Sequence, residues 1–334
     1  MQELVAVDIH THAIPLELCE VIRDHPDKMQ ARIERDSEGN EIIRHDQGYC
    51  YPLYKGFYDP QARLADMDKR QIHTDVMSVS PTMYYYWLDS ETCAEISRLC
   101  NDAMARMASA CPSRLKAAAT VPMQDVEAAV RELKRVVERH GMKMVSIGTS
   151  VEGKNLDATE FLPFFKLAEE LGVVILFHPY YVGARRELQD YYLTNIVGNP
   201  LETAVCIARL ILGGVLEQCP RLKLVFVHGG GFLPYQWGRV RHGYSVRQEP
   251  KVVVKGQSLD KYLSAVHFDT ITHWVPALEF LGNSYGWDKV LLGSDYPFDM
   301  ADPDPVKTVM ALNADETAKL AVLEGNAARL LGTK

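Results

Sequence analysis

Four stretches of this chain place imidazole or carboxylate side chains where an apolar run stops. His10 and His12 close Leu4-Val5-Ala6-Val7-Asp8-Ile9, His178 follows Val173-Val174-Ile175-Leu176-Phe177, His228 follows Leu224-Val225-Phe226-Val227, and Asp295 follows Val290-Leu291-Leu292-Gly293-Ser294. Side chains two apart on an extended strand share a face, so His10 and His12 can grip one ion together. A lone His-x-His pair also suits two polar neighbours at a strand end; the three later strand ends give it weight. Imidazole and carboxylate suit Zn, Mn, Fe or Co at a catalytic site. Three histidines and one aspartate would hold such an ion and leave a position for water or substrate. The bound ion would bring a water's pKa towards neutrality, and a remaining histidine could then act as general acid or base.

The elements that must position these groups follow from the pattern of the chain. Short β-branched runs at 4–10, 74–80, 115–121, 143–148, 172–178, 223–228, 265–270 and 289–294 alternate with amphipathic stretches at 90–110, 125–140, 158–171, 203–218 and 276–281. Eight strands separated by helices predict an α/β fold, a (β/α)8 TIM barrel with an insertion after the first strand. Strand ends are where such barrels carry their chemistry. The whole of 1–334 is read as one domain, with a lid-like insertion at about 13–60 holding Tyr49, Tyr51, Tyr54, Phe57 and Tyr58. A lid over the pocket and a small hairpin packed on the barrel rim are both compatible with that composition. A second insertion, 180–202, carries Tyr180, Tyr181, Arg185, Arg186, Tyr191 and Tyr192. Gly229, Gly230 and Gly231 after His228 allow a close backbone approach. His73, His140, His267 and His273 lack this strand-end context and read as structural or exposed.

Bulk properties bound the partners. The 334 residues are 47% hydrophobic and 24% charged, with a formal net charge of -8. That balance excludes a general nucleic-acid binder. No apolar run approaches the roughly 18 residues of a membrane span, and no signal-peptide pattern opens the chain. Seven cysteines form no Cys-x-x-Cys pair. They read as buried small hydrophobes in a reducing compartment, the cytoplasm.

The series His10-x-His12, His178-Pro179, His228-Gly229-Gly230-Gly231 and Gly293-Ser294-Asp295-Tyr296-Pro297-Phe298 resembles the amidohydrolase superfamily. Within it, with Tyr58-Asp59-Pro60, Met67-Asp68 and Gly238-Arg239-Val240, the chain resembles the α-amino-β-carboxymuconate-ε-semialdehyde decarboxylase family. That family also holds aromatic acid decarboxylases and some hydratases and hydrolases. The resemblance implies one divalent metal, Zn2+ with Mn2+ as the alternative, held by His10, His12, His178 and Asp295. His228 then stands beside a metal-bound water as proton acceptor and donor, and Asp295 orients or relays the proton while binding metal. The superfamily's lysine at the fourth strand is absent here, since Lys143 begins that strand and Gly148 ends it; one metal is expected.

On the substrate side the resemblance implies Arg239, reaching across a homodimer interface, with Tyr51 and Phe298. The family's aminocarboxymuconate decarboxylase has arginine where Tyr51 stands. Tyrosine cannot give the bidentate contact of a guanidinium, and leaving one charge of a dianion poorly paired costs about 2–5 kcal/mol. A more aromatic or less charged acid is expected. The activity read from all this is metal-dependent decarboxylation of an unsaturated or aromatic carboxylic acid, a carboxy-lyase acting in aromatic compound degradation. The alternative is a hydrolase or hydratase acting on a ring-cleavage product.

Overall fold

The computed structural model describes residues 5–181, 186–256 and 258–332. Eight parallel strands form its centre: β1 (Val7–Ala13), β2 (Thr74–Val79), β3 (Leu115–Ala117), β4 (Met144–Gly148), β5 (Val174–His178), β6 (Lys223–Phe226), β7 (Val266–Asp269) and β8 (Val290–Leu291). β1 pairs with β2 and β2 with β3, while β4, β5, β6, β7 and β8 pair in succession. Two seams close the ring. Ala119 N donates to Met144 O at 2.8 Å and Ser146 N to Ala119 O at 2.8 Å, joining β3 to β4. Ile9 N donates to Leu292 O at 3.0 Å, joining β1 to β8. The (β/α)8 barrel expected from eight β-branched runs is the fold observed.

The boundaries shift in informative ways. The first strand was expected over 4–10, of which Leu4 lies outside the described residues, yet β1 runs on to Ala13. Thr11, His12 and Ala13 pair with Met77, Ser78 and Val79 of β2, and on the other side His12 N donates to Tyr296 O at 2.7 Å, so partners on both edges carry the strand past its apolar stretch. His10 and His12 therefore sit inside a paired strand. The helix expected at 125–140 is Val126–His140, with Asp125 as its cap accepting from Ala128 N and Gly141 at its left-handed end; both ends follow ordinary capping chemistry. The stretch Thr194–Leu212 departs from the expectation that no segment could span a membrane: it has the length and a mean hydropathy of 1.2. In this fold Cys206, Ile207, Leu210 and Ile211 bury its apolar side in the barrel's shell.

The segment after β1 begins with helix Leu16–Asp24 and then forms a three-stranded antiparallel sheet, Ala31–Arg35, Glu41–His45 and Cys50–Pro52. From this sheet the Tyr51 hydroxyl meets Thr82 Oγ1 at 2.6 Å, and the Tyr51 ring stands 5.1 Å from that of Phe298. Of the second insertion, Arg185 lies outside the described residues. Tyr180 is buried, while Tyr191 and Tyr192 are exposed.

Of the three glycines after β6, Gly231 has the strictest demand. Its φ is +63°, and a Cβ there would collide with the carbonyl oxygen of Pro200. Gly231→Ala is expected to cost about 2–5 kcal/mol, adding about 1–2 for a left-handed alanine to about 1–3 for overpacking. Urea unfolding of the two proteins checks this.

Candidate metal centre

β1, β5 and the turn after β8 bring the expected ligands together. The Nε2 atoms of His10 and His12 lie 3.1 Å apart. Asp295 Oδ1 is 2.9 Å from His12 Nε2 and 3.3 Å from His10 Nε2. The His178 ring stands 5.0 Å from that of His12 and 5.1 Å from that of His10. One ligand atom from each of the four residues lies within 4.8 Å of all the others, and all four residues are buried.

The far side of each imidazole fixes its tautomer. His10 Nδ1 meets Asp269 Oδ2 at 2.6 Å, and His178 Nδ1 meets the Pro179 carbonyl at 2.6 Å; both partners only accept, so both Nδ1 atoms carry hydrogen. Ser78 donates its hydroxyl to Thr11 O at 2.9 Å, which leaves its oxygen to accept from His12 Nδ1 at 3.3 Å. Three Nε2 lone pairs thus converge on a carboxylate. His178 Nε2 is buried with no hydrogen-bond partner in the protein. Unpartnered buried nitrogens are costly, and lone pairs this close repel one another unless a cation lies between them. These residues fit a divalent ion, and the anchored far sides are what ligating histidines require.

The field of the site agrees. Burial opposes ionisation of Asp295, but His10, His12 and His178 hold its carboxyl well below the usual range. Burial lowers His10 while Asp295 and Asp269 raise it, and the carboxylates prevail, so the pocket favours positive charge at that point. Burial pushes His178 well below an ordinary imidazole.

His228 stands beside this group, its ring 5.1 Å from His178 and 5.8 Å from His10. Its Nδ1 is buried and unpaired. Burial pushes its pKa down to about 4, so it is neutral near pH 7. Both His228 (φ +56°) and Asp295 (φ +61°) adopt the left-handed region, a strain of about 1–3 kcal/mol each that concentrates at functional sites. His228 and Asp295 open on a cavity of about 560 Å³ walled by Phe232, Tyr235, Ile271, Trp274 and Phe280.

The substrate-side residues separate. Phe298 lies with its ring 5.1 Å from His12, and Tyr51 stands one ring further out, 5.1 Å from Phe298. The Tyr51 hydroxyl bonds Thr82 Oγ1 at 2.6 Å. Arg239 is exposed on helix Leu233–Val246 and does not line the cavity of its own chain. His273, read as structural or exposed, is exposed and lines the cavity.

The sequence reading missed Asp269. This carboxylate is fully buried, binds His10, and accepts from Gly229 N at 2.8 Å and Ile271 N at 3.2 Å. It ends β7 just as the recognised residues end theirs, and that was the available signal. In Asp269→Asn the amide cannot accept on both sides, so either His10 or Gly229 faces a donor. Ion affinity is expected to fall by about 10–100-fold, measurable by competition with a chelator.

The chain matches the amidohydrolase family over residues 7–333. It is 30% identical over 327 residues to the 2-amino-3-carboxymuconate-6-semialdehyde decarboxylase of Dictyostelium discoideum, covering 98% of this chain and 91% of that one. It is 30% identical over 259 residues to the gamma-resorcylate decarboxylase of Rhizobium sp., covering 72% and 77%. Among solved structures it resembles 5-carboxyvanillate decarboxylase from Novosphingobium aromaticivorans, complexed with manganese and 4-hydroxy-3-methoxy-5-nitrobenzoic acid. That likeness has a TM-score of 0.85 at 22% identity, over 99% of this chain and 97% of the other.

Proposed function

The chain belongs to the amidohydrolase family, and from that premise we propose that it is a metal-dependent decarboxylase of an unsaturated or aromatic carboxylic acid. One observation carries the reading: three anchored histidines and a carboxylate converge beside His228, which is neutral, has its Nδ1 unpaired and lines an apolar cavity. His10, His12, His178 and Asp295 would hold the ion. When bound, it supplies positive charge that steadies the negative charge a carboxylate carries and a decarboxylating carbon develops. Zn2+ is proposed for its match to imidazole nitrogens, with Mn2+ as the alternative.

The protein's own groups do the rest. Phe298 and the apolar cavity wall keep water from the reacting carbon and orient a flat acid. His228, neutral and with Nδ1 unpaired, would take up a proton from solvent and pass it to the carbon as the bond to the carboxyl group breaks and carbon dioxide leaves. Tyr51, whose hydroxyl is engaged by Thr82 Oγ1, puts no guanidinium on the insertion side, which favours an acid carrying few charges. Arg239, exposed and absent from its own cavity, is proposed to contact substrate in the neighbouring subunit of a homodimer.

Incubation of ion-loaded protein in D2O with a panel of aromatic and unsaturated acids tests the activity. Released carbon dioxide and one deuterium at the former carboxyl carbon are expected. A product that keeps its carboxyl group and gains water would replace this reading with hydration or hydrolysis.

A further inference from the structure

Part of the support of the candidate metal site comes from one face of a single helix. Asp59 caps helix Pro60–Lys69 by accepting from Gln61 N and Ala62 N. Arg63, Asp66 and Arg70, three and four residues apart, project from one side of this segment towards the barrel. Such a face would ordinarily be apolar where it meets a core. Here it is charged, and each charge has a distinct partner near a ligand.

Arg63 is fully buried. Its Nη1 donates to Asp75 Oδ2 at 2.7 Å on β2 and to Thr11 Oγ1 at 3.2 Å on β1. Its Nη2 donates to the backbone carbonyl of His12, and its Nε to Gly56 O at 3.0 Å, at the root of the insertion. Asp66 accepts from the Tyr296 hydroxyl at 2.7 Å. Tyr296 follows Asp295 directly, and its ring lies beneath both guanidinium groups, 5.1 Å from Arg63 and 3.9 Å from Arg70. Arg70 donates to Ser294 Oγ at 3.0 Å, immediately before Asp295. A Cβ on Gly56 would collide with the Tyr296 hydroxyl, so the insertion's root takes the Tyr296 side chain against its bare backbone.

We propose that Arg63 is a positioning residue, which sets where His12 stands relative to Asp295 and ties that placement to the root of the insertion. The inference rests on the reading of His12 and Asp295 as metal ligands. A buried guanidinium reaches four acceptors at once because its donors form a planar fork, and an ammonium cannot reproduce that geometry. Arg63→Lys keeps the charge opposite Asp75 and avoids leaving that carboxylate alone in the interior. It releases the His12 carbonyl or the Gly56 carbonyl, or both.

The test titrates metal-free wild type, Arg63→Lys, Asp75→Asn and Tyr296→Phe with Zn2+ against a chromophoric chelator, and records thermal unfolding with and without Zn2+. Arg63→Lys is expected to bind Zn2+ about 10–100-fold more weakly. Its Zn2+-induced rise in Tm should be smaller than that of wild type, and its kcat should fall with KM little changed. Tyr296→Phe removes only the hydroxyl bond to Asp66 and should shift affinity less, in the same direction. A residue that merely supports the fold would lower Tm equally with and without Zn2+ and leave affinity alone. Unchanged affinity in Arg63→Lys overturns the inference, and should that variant not fold, unchanged affinity in Asp75→Asn, which loosens the same guanidinium at its carboxylate, overturns it. Failure of wild type itself to bind Zn2+ or Mn2+ would instead sink the metal reading, a separate result.

Discussion

His228→Ala is expected to lower kcat by about 100- to 10,000-fold, the usual range for a positioned proton carrier, while the protein retains its ion. The retention follows from geometry. The ligand cluster is complete without His228, because His10, His12, His178 and Asp295 alone supply four atoms within 4.8 Å. The loss follows from environment. His228 is neutral at pH 7, its Nδ1 has no partner, and it shares the cavity with Asp295. Such a loss corresponds to about 3–5 kcal/mol of barrier. Its backbone calls for a control, since alanine at φ +56° adds strain of its own: His228→Asn suits the left-handed region and still lacks an imidazole. Equal losses in both variants, with bound ion unchanged by elemental analysis, assign the effect to the ring. Wild-type kcat in either variant would remove His228 from the reaction.

Much of the barrel was legible because its strands are apolar on both faces and rich in β-branched residues, a pattern typical of parallel sheets. The ligands were legible because polar groups interrupt those runs at corresponding ends. What escaped the sequence depended on contacts across long separations. Asp269 looks like any acid leaving a strand until β7 is set beside β6 and the ring closes on β1, where its two oxygens meet Gly229 and His10. Arg63 looks like a surface residue of a charged helix, and only the stacking of β1 on β2 places Asp75 and the His12 carbonyl within its reach. The extension of β1 to Ala13 likewise needs Met77, Ser78, Val79 and Tyr296, partners far along the chain. Strand chemistry is written locally, whereas the groups that hold the ligands in place are supplied by the closed ring.

Removing the ion with a chelator is expected to abolish turnover and to lower stability together, with both restored by Zn2+ or Mn2+. The coupling arises because the four ligands converge only in the folded chain, so an ion bound there stabilises the native state by mass action, about 2.7 kcal/mol at 100 times Kd. Proton competition gives this prediction a sign. His10 must present a bare Nε2 to the ion, and Asp295 with Asp269 raise its pKa above the ordinary 6.5 against the effect of burial. Below that raised pKa a proton occupies the nitrogen, so ion affinity should decline as pH falls, beginning at a higher pH than for an unperturbed imidazole. Asp295 does not add to the decline in this window, because the histidines around it keep it ionised far into acid. Chelator competition at several pH values measures the curve. Replacing His178 by alanine deletes one ligand nitrogen without touching His10, so its affinity should be lower at every pH while the decline stays at the same place. Turnover that survives complete removal of the ion would contradict the central proposal, whatever the fate of the barrel.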